Sequence, residues 1–257
     1  MVINLQAFER NVFSQSGEDG VLEKLFEIVG TTNRFVAEFG AGDGVYLSNA
    51  RSLILQGWSA CLIEGDPAKV DRAVRTYIDV FPRVRIAGAY ILPSNIEERL
   101  LACDTPAVPD LMAIDLDGND YYVWEAITKI RPRVLMMEYN ASFPPPAKRV
   151  VKYHPDNFWD LSDYFGASLQ SLVDLNKQKG YELIYCMRSG INAIFVDAPL
   201  LDRFDLGSND VRLIYQPPRY GVGGGRGPGG HGHPARDHVP LTLPDGTTIA
   251  KEWVELP

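Results

Sequence analysis

Between residues 38 and 44 the chain reads EFGAGDG: a carboxylate, Glu38, closes an apolar run, and Gly40, Gly42 and Gly44 then alternate with Ala41 and Asp43. Glycines so spaced let the backbone turn with positive φ and approach a ligand with no Cβ in the way. A strand, a glycine turn and a helix N-terminus in succession form a small-molecule cradle in α/β proteins. The plainer alternative is a turn that only joins strand to helix. Charge narrows the choice of ligand. The dinucleotide fingerprint is G-x-G-x-x-G, whereas here the third glycine comes one residue early and Asp43 sits inside the turn. A pyrophosphate beside Glu38 and Asp43 would be repelled; a cationic, phosphate-free ligand such as S-adenosylmethionine would not.

Two further groups of residues bear on the same ligand. Glu64 ends the next apolar run, residues 58–63, and lies about twenty residues beyond the glycine turn, where one carboxylate can accept both hydroxyls of a ribose. Upstream, SQSGEDG (residues 14–20) precedes an amphipathic helical pattern and reads first as an acidic helix cap. A second reading adds that Gln15 and Glu18 face the cofactor.

A separate acidic cluster follows. The apolar run 109–114 ends in Asp115, Asp117, Asn119 and Asp120, and the run 133–137 ends in Glu138 and Asn140. Alternate residues of an extended strand point the same way, so Asp115 and Asp117 can converge on one ion. With Glu138 and Asn140 they make an oxygen donor set suited to Mg²⁺ or Mn²⁺. An acidic turn with a helix cap is the competing reading, and the segment lacks the length and terminal glutamate of an EF-hand loop. His154, in a loop, is either a general base or simply exposed.

These residues need a sheet to hold them. Strands are expected from residue 35 up to Glu38 and at 58–63, 83–91, 109–114 and 133–137, with helices between them, and then a tight hairpin of 182–187 and 192–197. Strand ends at one edge of a parallel sheet would bring Glu38, Glu64, Asp115 and Glu138 onto one rim. Residues 141–166, rich in proline and aromatics, are expected to form a lid over that rim. Residues 1–200 are expected to form the main domain, opening with a short helix or arm over 1–13, and residues 201–257 a C-terminal extension. Within the extension, the glycine-dominated segment 219–236 reads as a mobile loop rather than a metal site built on His231, His233 and His238. A small hairpin is expected around Pro244-Asp245-Gly246.

At 257 residues the chain holds one sizeable α/β domain with an appendage. A formal net charge of −8 argues against a general nucleic-acid or anionic-membrane surface. Cys61, Cys103 and Cys186 are widely spaced within or beside apolar runs, as expected of reduced core residues in a cytoplasmic protein. No signal peptide or membrane span is expected, and a homo-oligomer is compatible with the sequence.

Four stretches carry a resemblance to class I S-adenosylmethionine-dependent methyltransferases, and within them to the FkbM-type family: SQSGEDG (14–20), EFGAGDG (38–44), IDLDGNDYYVW (114–124), and the pair MEYN (137–140) and YFGASL (164–169). The likeness runs from residue 14 to about 197 and leaves out the glycine-rich segment and terminal hairpin. It implies a doubly wound, Rossmann-like α/β fold with a seven-stranded sheet, last strand antiparallel. It also implies methylation of a hydroxyl on a small-molecule acceptor, often a sugar or natural product. Related sugar methyltransferases use Mg²⁺ held after the fourth and fifth strands; here the fifth offers Glu138 and Asn140 rather than an Asp-containing pair. The cofactor set would then be Gln15, Glu18, Glu38, Gly40, Gly42, Asp43, Glu64 and Asp115, with Asp115 or His154 as base. Metal-independent N- or C-methylation, a non-catalytic S-adenosylmethionine-binding scaffold, and a nicotinamide oxidoreductase (disfavoured by the glycine spacing) are the alternatives.

Overall fold

The computed structural model describes residues 4–257. Of the expected N-terminal arm, residues 1–3 lie outside the described residues, and Leu5–Phe8 forms a 3-10 turn leading to helix α1, Glu18–Val29. Strands β1 (Phe35–Phe39), β2 (Ser59–Glu64), β3 (Val84–Gly88), β4 (Leu111–Ile114) and β5 (Val134–Glu138) alternate with helices α2 (Arg51–Leu55), α3 (Pro67–Tyr77), α4 (Ile96–Ala102) and α5 (Asp120–Ala126). The short strand β6 (Arg149–Val151) and helix α6 (Leu169–Gln178) precede the hairpin of β7 (Tyr181–Cys186) and β8 (Asn192–Asp197). The sheet has seven strands in the order β3-β2-β1-β4-β5-β8-β7. The first five are mutually parallel and β8 is antiparallel to both neighbours.

All five residues of β1 are buried, as expected of a parallel strand covered on both faces. Alternation divides the core in two. Ala37, Phe39, Cys61, Ile63, Met112 and Ile114 pack on one side, and Val36, Ala60, Leu62, Leu111 and Ala113 on the other. The strand order reverses between β1 and β4, which opens the crevice at their carboxyl ends that α/β sheets use for ligands. The three cysteines are buried and unpaired.

Asp66 caps α3 as its sequence suggests, its Oδ1 accepting the Ala68 N–H at 2.8 Å with Pro67 in the first turn. The glycine turn does not pass straight into a helix near Leu47, however. Glu38 takes the Ser48 hydroxyl at 2.8 Å and the Asn49 N–H at 2.6 Å, Leu47 adopts φ 59°, and α2 begins only at Arg51.

The remaining chain wraps the rim. After the short helix α7 (Val211–Ile214), the expected small hairpin is present as β9 (Leu241–Thr242) and β10 (Thr248–Ile249), with Gly246 at φ +86°. Strand β11 (Trp253–Glu255) then pairs antiparallel with β6, so the C-terminal stretch is stitched to the segment expected as a lid. Among the described residues, no helix is long and apolar enough to cross a membrane.

Candidate functional site

A cavity of about 890 Å³ lies over the carboxyl ends of β1, β2, β4 and β5. Gly40 adopts φ +67° and passes so close to the next strand that a Cβ would stand 1.9 Å from the Asp115 carbonyl oxygen. Only glycine permits that crossing.

Several of the turn's N–H groups are committed within the protein. Ala41 donates to the Ile63 carbonyl at 3.1 Å and Gly44 to the Ala41 carbonyl at 2.9 Å. Gly42 donates to Glu64 Oε2 at 2.8 Å, and Asp43 Oδ1 accepts from Val45 at 3.0 Å and Tyr46 at 2.9 Å. The Tyr46 bond leads the interactions that hold the Asp43 carboxyl below its usual range. Glu64, 8% exposed, also takes the Asp66 N–H at 2.8 Å on its other oxygen. Each Glu64 oxygen keeps a lone pair for a further donor. Tyr90 lies against this floor, its ring 3.2 Å from where a Cβ on Gly65 would be, and its hydroxyl donates to the Asn157 carbonyl.

Register carries the second cluster into place. Ile114 pairs with Met137, so the residues that follow, Asp115 and Glu138, emerge side by side. Asp115, Asp117 and Glu138 each offer a carboxylate oxygen within 4.8 Å of the others. Asp117 is aimed by a left-handed backbone at φ 55°, a conformation that costs a non-glycine residue about 1 kcal/mol or more. Beneath it Asp120 accepts the Leu116 N–H at 2.8 Å and the Gly118 N–H at 3.0 Å, which fixes the turn. Burial, then Asp117 and Asp120, push Asp115 well above the carboxylate range; burial, then Asp115 and Asp117, do the same for Glu138. Asp117 faces the cavity's solvent yet is raised to about 6 by the surrounding protein and by Asp120. Glu138 Oε2 is buried with no hydrogen-bond partner. Three carboxylates at this spacing, one of them with an orphaned oxygen, fit a hard divalent cation.

Several expected site residues serve the scaffold instead. Glu18 is fully buried and outside the cavity lining, holding Ser16 N at 2.7 Å and Asn192 Nδ2 at 2.9 Å. Glu38 is likewise behind the wall, raised by burial to about 7 against the opposing bonds from Ser48 and Asn49. Asn140 corrects the expected metal set. Its Nδ2 donates to the Asp163 and Phe165 carbonyls at 2.8 and 2.9 Å and its Oδ1 takes the Ser142 N–H at 3.0 Å, so its amide is spent on the backbone. His154 is not in the cavity wall either; its Nδ1 accepts the Asp156 N–H at 3.2 Å. Gln15, Gly40, Gly42, Asp43, Glu64, Asp115, Asp117 and Glu138 do line the cavity.

The cavity also has walls that motif spacing did not identify. Asn157, Trp159 and Phe165 come from the segment 141–166, and Lys69 and Arg72 from α3. The glycine-rich segment, expected as a mobile loop, contributes Tyr220, Gly221 and His233 to the wall. Its two limbs cross in contact: Gly232 N–H donates to the Tyr220 carbonyl at 2.9 Å, and a Cβ on Gly225 would meet the His233 carbonyl at 2.4 Å. The glycines are there for close backbone packing. Alternating aromatics in the lid hinted at a wall; nothing local marked His233.

No family model and no curated protein matches the chain. Solved structures of similar arrangement include the N-terminal domain of EvdMO1, crystallised with SAH and D-fucose, at 15% identity and a TM-score of 0.44 over 70% of this chain and 82% of that one. A Staphylococcus aureus protein assigned as a caffeoyl-CoA O-methyltransferase aligns at 15% identity and a TM-score of 0.47, over 70% and 82% of the two chains. A third is an S-adenosylmethionine-dependent methyltransferase from Clostridium acetobutylicum, at 10% identity and a TM-score of 0.43 over 70% and 89%. At such identities the activity has to be argued from this chain's own residues.

Proposed function

We propose that the protein is a methyltransferase that moves the sulfonium methyl of S-adenosylmethionine to a hydroxyl of a small acceptor, a sugar or natural product. One observation carries this reading: the Gly42 N–H, a donor of the kind that glycine turns offer to phosphate oxygens, is given to Glu64. With the Ala41 and Gly44 N–H groups also committed, the turn keeps few donors for a pyrophosphate, while Glu64 retains acceptor capacity for a ribose diol. Charge agrees, since six carboxylates line the cavity (Asp43, Glu64, Asp66, Asp115, Asp117, Glu138) against the two cations Lys69 and Arg72. A sulfonium and an amino group suit that field.

In this reading Glu64 takes the ribose hydroxyls, Tyr90 flanks the base, and Asp115 stands at the methyl-donor end. The acceptor would occupy the half walled by Trp159, Phe165, Tyr220 and His233, whose rings suit the apolar faces of a sugar while the nearby carboxylates take its hydroxyls. Holding the acceptor oxygen in line with the methyl–sulfur bond supplies most of the rate. Asp115, Asp117 and Glu138 would hold a divalent cation, and when bound it would acidify a coordinated hydroxyl. The sugar acceptor is the finer part of the reading, and the likeness of the four sequence stretches to FkbM-type enzymes supports it.

Calorimetric titration with S-adenosylhomocysteine, ATP and NADH tests the reading. Binding of the first alone is expected. Uptake of either phosphate-bearing ligand by a protein indifferent to S-adenosylhomocysteine would overturn it.

A further inference from the structure

Resting on the methyl-transfer reading above, we infer that His233, delivered by the glycine-rich segment, is the base that accepts the acceptor's proton. His233 lines the cavity shared by Asp115, Asp117 and Glu138, and among the described residues neither of its ring nitrogens has a hydrogen-bond partner. Its ring packs against three others, edge-on to Trp159 and Phe165 with centroids at 4.8 and 6.3 Å, and tilted against Tyr220 at 5.4 Å. Packing of this kind fixes a ring's orientation without using its nitrogens. His154 offers no such arrangement.

The segment that carries His233 is built to keep it there. Asp163 N–H donates to the Pro234 carbonyl at 3.1 Å, one residue beyond His233. Arg226 Nε stands 3.3 Å from the fully buried Asp163 Oδ2, and its other end pairs with Asp237. A Cβ on Gly227 would stand 2.2 Å from Pro218 Cγ, so the loop closes tightly against Pro218. Tyr220, tilted against His233, has its phenol raised by burial and then by the Glu138 carboxylate, which puts this loop within electrostatic reach of the acidic cluster.

Electrostatics assign the proton to the imidazole. Desolvation lowers the His233 pKa, so the resting ring is neutral and can accept a proton. Three crowded carboxylates already repel one another, whereas the imidazole is uncharged until it takes the proton. In the step itself, the acceptor oxygen forms a bond to the methyl carbon as the carbon–sulfur bond breaks, and that bond's electron pair stays on sulfur as the neutral thioether. The hydroxyl proton passes to a His233 nitrogen and leaves to water after product release.

The test uses the full chain with methyl glucosides and catechol as acceptor probes, S-adenosylhomocysteine release as the rate, and calorimetry for cofactor affinity. His233→Phe preserves the edge packing and removes the lone pair. It is expected to lower kcat by about 10²- to 10⁴-fold and to leave KM and S-adenosylhomocysteine affinity within a few-fold of wild type. His233→Ala should lose rate similarly and regain part of it with added imidazole. A His233→Phe variant that keeps the wild-type kcat overturns the assignment and leaves the methyltransferase reading standing. A variant that loses cofactor affinity tenfold also overturns it, since the loop would then belong to the cofactor site. Wild-type protein that transfers to no probe removes both statements.

Discussion

A Cβ on Gly221 would lie 2.3 Å from the carbonyl oxygen of Gly232, eleven positions along the same loop. Gly221 also has φ +80°, so an L side chain there is strained and blocked at once. Gly221→Ala is expected to separate the two limbs and speed amide exchange across residues 219–236 by more than tenfold. Gly224→Ala is the control: φ is +77° but nothing lies within 4 Å, so only the backbone term, about 1 kcal/mol, should be lost. Equal protection in both variants would show that the crossing is not what orders the loop.

Arg226 and Asp163 give a second handle on the same loop. The 3.3 Å approach is Coulombic, since Asp163 has no hydrogen bond to Arg226, and Asp163 has no exposed side-chain surface. Burial raises the Asp163 carboxyl to about 6, against the lowering by Arg226. A raised carboxyl favours folding at low pH and loses that contribution as pH rises through its folded value. Removing Arg226 leaves that carboxylate unpaired, so Arg226→Ala should cost about 3–5 kcal/mol at pH 7.5 and less at pH 5. Asp163→Asn in the same chain should restore part of it. Denaturant titration at the two pH values decides this, and a penalty independent of pH would count against the pairing.

Glu38 sets a pH dependence of its own. Its pKa rises from 4.5 to about 7, chiefly through burial, so between those values the folded state holds the proton more tightly than the unfolded state. Stability should therefore fall as pH rises through this window, by up to about 1.4 kcal/mol per pH unit. Glu38→Gln surrenders one acceptor oxygen to Ser48 or Asn49 and lowers stability throughout, yet it should flatten that slope. An unchanged slope would mean the titration lies elsewhere.

How far the sequence could be read follows from which interactions are local. Strand β1 and its glycine turn were legible because apolar runs and glycine spacing are properties of neighbouring residues, and Glu64 because a sheet fixes the offset between adjacent strand ends. Asp115 beside Glu138 followed from parallel register. Glu18, Glu38 and Asn140 were read as ligand-facing because sequence gives a carboxylate's or amide's place at a helix start or strand end, not the partners it meets there. Ser48, Ser16 and the Asp163 and Phe165 carbonyls claim them through contacts that no spacing encodes. His233 was hidden for the opposite reason. Glycine-rich composition reads as backbone freedom, and only the crossing of the limbs turns that freedom into close packing.

The carboxylate trio yields the last expectation. Asp115, Asp117 and Glu138 are all raised, so their protons leave at higher pH than those of ordinary carboxylates, that of Asp117 past about 6, and repulsion within 4.8 Å then builds. A divalent cation competes with those protons, and its stabilising effect must therefore be larger at pH 8 than at pH 5. At a hundredfold excess over its dissociation constant the ion adds about 2.7 kcal/mol, which for a chain of this size is a Tm gain of roughly 5 °C or more. Glu138→Gln removes the orphaned Oε2 carboxylate and should abolish most of the gain, whereas Asn140→Asp, whose side chain faces the backbone of residues 163–165, should not increase it. Thermal melts with Mg²⁺ or Mn²⁺ at both pH values, before and after a chelator, make the measurement. A gain that is absent at pH 8, or equal at the two pH values, would identify the trio as a proton-sharing cluster rather than a cation site.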